Sequence, residues 1–101
     1  MTLTKSFCGV INIDNNEDGR RAVIVADLGS SMAVEVEYDD TDGCAVIHLP
    51  DNPVDEHHIG IHISPQLHGE IQPTHKIIDR NTIILWAVGD VFVDIKAQYE
   101  S

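Results

Sequence analysis

Met32-Ala33-Val34-Glu35-Val36-Glu37-Tyr38 alternates apolar and polar or small side chains without a break. Successive side chains of a strand point to opposite faces, so Met32, Val34, Val36 and Tyr38 share one face and Ala33, Glu35 and Glu37 the other. One side is apolar and the other charged, which describes an antiparallel strand with one wet face. This stretch decides the fold because the same period recurs on both sides of it.

Upstream, Gly29-Ser30-Ser31 reads as a turn and Arg20 to Leu28 as a strand rich in Val and Ile. Asn15 to Gly19 is a turn, since Asn, Asp and Gly tolerate the positive φ of tight connections. Phe7 to Asp14 is a first strand with Phe7, Ile11 and Ile13 on one face. Downstream, Asp39 to Gly43 is a turn, and Cys44 to Leu49 is a strand closed by Pro50. Asp51 to Asp55 is a loop. Glu56 to Ser64 is a strand with Ile59, Ile61 and Ile63 toward the core, and Pro65 to Gly69 turns. Glu70 to Ile78 reads as an edge strand, because Pro73 cannot donate to a ladder. Asp79-Arg80-Asn81 leads into Thr82 to Val88, an almost continuous apolar run expected to be buried on both faces. Gly89-Asp90 is expected as a tight hairpin into a last strand, Val91 to Tyr99.

No segment carries a sustained helical period; a short helix around Asn52 to His57 or at the C-terminus is the most the pattern allows. Short strands at about 8–12-residue spacing predict an all-β sandwich or partly open barrel of about eight mostly antiparallel strands. The 101 residues, 43% of them apolar, suit one domain over 1–101 with a single core. The two-faced run Ile83-Ile84-Leu85-Trp86 must be covered by a second sheet or by another subunit, so a homodimer stays open.

Charge is the second informative feature. Six Lys and Arg stand against seventeen Asp and Glu, for a net charge of −11. Lys5, Arg20 and Arg21 precede residue 22, and Lys76, Arg80 and Lys96 follow residue 75. Between them lie Asp27, Glu35, Glu37, Asp39, Asp40, Asp42, Asp51, Asp55, Glu56 and Glu70, with no Lys or Arg. Such a balance argues against sequence-independent binding to nucleic acid, whose phosphates need cations to displace counterions. It disfavours anionic membrane surfaces for the same reason.

Like charges crowded on one surface repel, and a cationic partner relieves that repulsion and gains association rate by steering. The expected activity is therefore binding, not catalysis. Glu35, Glu37, Asp39, Asp40, Asp42, Asp51, Asp55 and Glu56 are the candidate contacts. The expected partner is a basic protein such as a nuclease or another nucleic-acid enzyme. Its phosphate-binding surface would take carboxylates in place of phosphates, as an immunity protein or phage-type inhibitor uses them. Two other classes stand beside this one: a β-barrel binding a small molecule or metal through the histidine-bearing strand, and a structural or assembly subunit.

Motifs with specific chemistry are weak. Asp14-Asn15-Asn16-Glu17-Asp18-Gly19 opens like a calcium loop, but position twelve is Val25 and position nine is Ala22. An acidic hairpin turn explains it. His48, His57, His58, His62, His68 and His75 suggest a metal site, yet His58 and His62, four strand residues apart, stand about 13 Å from one another. On the strand reading His57 points to the Ile face. A site shared between strands, for example His48 with His62 or His68, stays open, as does a pH response of the six imidazoles. Cys44 and His48 share the 13 Å problem, and Cys8 has no local base. Phosphate loops, dinucleotide glycines and nucleophile elbows are absent. No catalytic residue, metal ligand or cofactor is therefore assigned.

Met1 to Ser6 lacks the apolar run of a signal peptide, and the longest apolar runs are strand-length. The chain is expected in the cytoplasm, with Cys8 and Cys44 reduced and buried and a disulfide between them left open.

Overall fold

Among the described residues period-two alternation produces eight strands: β1 (Thr2–Asp14), β2 (Arg21–Asp27), β3 (Glu35–Asp39), β4 (Cys44–His48), β5 (Gly60–Pro65), β6 (Thr74–Asp79), β7 (Thr82–Trp86) and β8 (Gly89–Glu100). A single 3-10 turn, Glu56–His58, lies between β4 and β5. The computed structural model describes residues 1–65 and 72–100. The strands form two four-stranded sheets, in the orders β2-β1-β8-β5 and β3-β4-β7-β6, and every pairing is antiparallel. The molecule is a sandwich; its sheets do not close into a barrel.

The inner faces make one core. Phe7, Ile11 and Ile13 of β1 and Val91, Val93, Ile95, Ala97 and Tyr99 of β8 meet Ala45 and Ile47 of β4 and Ile83 and Leu85 of β7. Each fully buried aliphatic side chain stabilises the fold by about 1.5–3 kcal/mol. The seam between β1 and β8 runs without a slip from Thr2↔Glu100 to Ile13↔Gly89. Beside it, β2 carries a bulge: Val10 faces Ala26 but Ile11 faces Ile24, which leaves Val25 as the extra residue. Gly9 permits this close approach. A Cβ there would sit 2.3 Å from the Ala26 carbonyl oxygen and 3.0 Å from the Phe7 ring.

Several expectations need correction. Strand β1 starts at Thr2, ahead of Phe7, because β8 continues to pair with it. In the Met32–Tyr38 stretch only Glu35 onward is strand. Met32 and Val34 are still buried, while the Ser31 and Met32 N–H groups donate to the Ser6 carbonyl as the chain crosses between sheets. Glu56 to His58 is 3-10 turn, not strand, because the Asp55 carboxylate caps it by accepting the His57 N–H. His57 is accordingly exposed and not on the Ile face. Thr82 to Val88 is not buried on both faces. Ile83 and Leu85 point inward, while Ile84 and Trp86 are only half-buried on the outer face. Gly89-Asp90 makes no hairpin, since β7 and β8 belong to different sheets. Gly89, at φ 90°, redirects the chain across the sandwich instead. The expected edge strand is β6, which begins at Thr74, just past Pro73. The expected turn over 66–69 and residues 70–71 lie outside the described residues, as do His68 and Glu70.

Strand directions give the sandwich two distinct ends. The β1–β2 and β3–β4 hairpin turns and the β7–β8 crossover lie at one, called here the turn end. The start of β1, the close of β8, the β4–β5 connection and the β6–β7 turn lie at the other, the terminal end.

Candidate protein-binding surface

The β3–β4 hairpin holds five of the eight carboxylates picked out in the sequence. Val36 and Tyr38 pack against the core, so Glu35 and Glu37 project from the outer face of β3. Glu35 stands opposite His48, and Glu37 Oε1 is 2.9 Å from His48 Nε2. Asp39 spends its Oδ1 on the turn, accepting the N–H of Thr41 at 2.8 Å. Asp40 and Asp42 are exposed on that turn.

Asp51, Asp55 and Glu56 sit elsewhere. They follow β4 on the β4–β5 connection, at the terminal end. The five residues of β4 alone put about 13 Å between its ends. The candidate residues therefore form two groups, not one patch.

The second group is bound up with its surroundings. Asp55 Oδ1 is 2.6 Å from His58 Nδ1 and also accepts the His57 N–H. The His58 imidazole, more than any other neighbour, holds the Asp55 carboxyl below the usual carboxylate range. Asp51 shares a cleft of about 580 Å³ with Lys5, Arg80, Tyr99 and Glu100. Lys5 Nζ lies 5.1 Å from the Tyr99 ring centroid. The Asn81 amide donates to the Asp51 carbonyl at 2.5 Å and is 3.4 Å from that of Leu49. Asp27, opposite Gly9 midway along β1, is held below its ordinary range chiefly by the Ser30 N–H and hydroxyl.

The first group gains carboxylates that the sequence did not assign to it. Tyr38 donates its hydroxyl to Asn15 Oδ1 at 2.5 Å, which ties the end of β3 to the β1–β2 turn of the other sheet. The same hydroxyl is 3.7 Å from the position a Cβ on Gly43 would occupy. Asp14, Glu17 and Asp18 thus stand beside Asp39, Asp40 and Asp42. Nothing in the linear order announces this, because the turns are separated by β2 and β3. The sequence feature the two share is turn chemistry: Glu17-Asp18-Gly19 and Thr41-Asp42-Gly43 each end in Asp-Gly.

A buried thiol lies within reach of the turn-end charges. Cys44, 0% exposed, is pushed above its ordinary pKa first by burial and then by the charges of Asp39 and Asp42. Cations do not cancel this field at contact range. Among the described residues the ion pairs are Glu37–His48 and Asp55–His58, and no Lys or Arg forms one.

The other candidates separate. Asp14 accepts the Asn16 N–H at 2.9 Å in an ordinary turn flanked by strands, not the helices of a calcium loop. His48 alternates with core Ile47 on one sheet, and His62 with Ile61 and Ile63 on the other. Their imidazoles leave opposite outer faces, so they cannot share a ligand. Among the described residues no group of three or more His, Cys, Asp or Glu is placed to hold a metal ion. Cys8 and Cys44 are both free, on different sheets, and Cys8 is half-buried where burial was expected. The register sets Cys8, Asp94 and His62 in one row across β1, β8 and β5, with no hydrogen bond joining them. No helix among the described residues is long and apolar enough to cross a membrane.

Comparison with known proteins finds no matching family model, no matching curated protein and no matching solved structure.

Proposed function

We propose that the chain is a binding protein whose turn end docks onto a basic surface of a partner protein, such as the phosphate-binding surface of a nuclease or other nucleic-acid enzyme. The observation that carries this reading is the Tyr38–Asn15 bond. It sets turns from both sheets side by side and so masses Asp14, Glu17, Asp18, Asp40 and Asp42; Arg21 stands opposite Asp14, but among the described residues no lysine or arginine forms an ion pair there. Fixed carboxylates at a rigid end are arranged before the partner arrives, which lowers the ordering cost of association. Their mutual repulsion is relieved by cationic side chains, and the same field steers the encounter. No catalytic step is needed for such a protein to act; occupying the surface is enough to block it.

The test is capture on the immobilised chain, followed by a salt titration with the purified partner. Binding supports the proposal if the partner is basic and affinity falls steeply as salt rises. Retention of a neutral or acidic partner, or a salt-insensitive complex, contradicts it.

A further inference from the structure

Strands β1 and β8 are 13 and 12 residues long, whereas β4 and β7, packed across from them, have 5 each. At the terminal end the longer pair therefore overhangs. The β3-β4-β7-β6 sheet stops at the row His48↔Thr82, while β1 and β8 continue to Thr2↔Glu100. Beyond Phe7 the inner-face positions are Lys5 and Leu3 on β1 and Tyr99 on β8, and Leu3 is left 47% exposed.

The β4–β5 connection closes one side of this overhang. Strand β5 ends its pairing at Gly60↔Lys96, so the free edge of β8 takes the Val54 N–H on the Gln98 carbonyl at 2.7 Å. Tyr99 donates to the Pro50 carbonyl, and the Asn81 amide donates to that of Asp51, whose φ is 54°. The connection is thus pinned to both sheets, and it leaves open the cleft of about 580 Å³. That volume lies within the roughly 300–1,000 Å³ of small-molecule sites.

Charge in the cleft is balanced but unpaired. Lys5 enters from the inner face of β1, over the Tyr99 ring, and Arg80 enters from the β6–β7 turn. Asp51 and Glu100 line the same space. Among the described residues none of the four forms an ion pair, although seventeen Asp and Glu in the chain compete for six Lys and Arg. The Asp51 charge reaches the cleft wall: after burial it is the next cause that pushes the Tyr99 phenol up.

These charges discriminate between ligands. A free anion is repelled by a protein of net charge −11, and a simple cation is opposed by Lys5 and Arg80. A zwitterion has no net charge and answers both pairs. A carboxylate suits the Lys5 ammonium and the planar fork of Arg80, and an ammonium suits Asp51 and Glu100. Val54 and the Tyr99 ring supply apolar surface beside them. We propose that the cleft binds a small zwitterion, an α-amino acid or short peptide with apolar side chains, its carboxylate on Lys5 and Arg80 and its ammonium on Asp51 and Glu100. Walls already fixed in the free protein lower the ordering cost of binding. The cleft shares no residue with the turn end, so this inference does not rest on the proposed function.

Isothermal titration calorimetry with leucine and with trileucine tests it. Saturable binding of either is expected, and the tighter of the two identifies the source as a free amino acid or a peptide. The N-acetylated and C-amidated forms of that ligand each lack one charge and are expected to bind about tenfold more weakly, the loss of one charge-assisted contact. Lys5→Met keeps an apolar stem over the ring, and Arg80→Gln changes an exposed side chain, so both variants keep the fold, which circular dichroism checks. Each is expected to weaken binding by about tenfold as well. Failure of both leucine and trileucine to bind overturns the inference. So does binding that is unchanged by capping either end of the ligand or by either variant.

Discussion

The two ends of the sandwich are built from similar residues and treat charge in opposite ways. Away from the turn end the shifted carboxylates are Asp55, at the terminal end, and Asp27, midway along the first sheet, both lowered by donors that the fold supplies. At the turn end the shifted group is Cys44, raised by burial and by the carboxylates around it. One end absorbs negative charge into turns and imidazole contacts; the other projects it. Each end also has a tyrosine that bridges the sheets. Tyr99 donates to the Pro50 carbonyl at 2.9 Å from a buried position, whereas the Tyr38–Asn15 bond is exposed. The terminal end is thus structural, and the turn end spends its polar contacts on holding a charged surface in place.

Truncating the two tyrosines breaks the comparison most sharply. Tyr99→Ala, which empties a site 4% exposed, is expected to cost about 3–5 kcal/mol in urea unfolding. Tyr38→Ala removes a partly exposed ring and is expected to cost less than half as much. If the two cost the same, the ends are equally structural. Removing only the hydroxyls gives a finer version. Tyr99→Phe strips the Pro50 carbonyl of its donor and is expected to cost about 1 kcal/mol. Tyr38→Phe is expected to change stability less than that, while weakening partner binding because the two turns are no longer tied.

Acid separates the ends by a smaller amount. Asp27 and Asp55 have folded pKa values below their unfolded ones. Their contribution is therefore present above the unfolded carboxylate range, near about pH 4, and is lost as pH falls through the folded values. Stability measured from pH 5 to pH 2 is expected to fall less steeply in Asp55→Asn and Asp27→Asn than in the parent. A slope unchanged by either variant contradicts the assignment. The smallest effect expected is at Cys44. Asp42→Asn removes one of the two charges that raise the thiol, so its titration is expected to move down. No movement would mean that burial alone sets it.

Much of this architecture was legible in the chain because period two survives wherever one face is buried. Ile59, Ile61 and Ile63, and Phe7, Ile11 and Ile13, all turn toward the core as their spacing implies. What alternation does not encode is which sheet a strand joins. Gly89-Asp90 has hairpin chemistry, yet it carries the chain between sheets, because β8 finds β1 and β5 as its partners. The acidic surface fails to read out for the same reason. Asp51, Asp55 and Glu56 are near Asp42 in sequence but follow β4 to the far end. Asp14, Glu17 and Asp18 are distant in sequence and arrive through the Tyr38–Asn15 bond. The Asp55 cap on the 3-10 turn is a local signal that the alternating isoleucines after it had hidden.

Neutralising charge at one end and then at the other separates the two ends most directly. Two triple variants, Asp18→Asn/Asp40→Asn/Asp42→Asn at the turn end and Asp51→Asn/Glu56→Gln/Glu100→Gln at the terminal end, each remove three negative charges from the net −11. The dissociation constant of the captured basic partner, followed from low to high salt, is the quantity to compare. The turn-end variant is expected to lose at least tenfold in affinity at low salt and to show a shallower salt dependence, with the terminal-end variant close to the parent. Equal weakening by both variants would contradict the central claim, since the partner would then be sensing overall charge and not the paired turns.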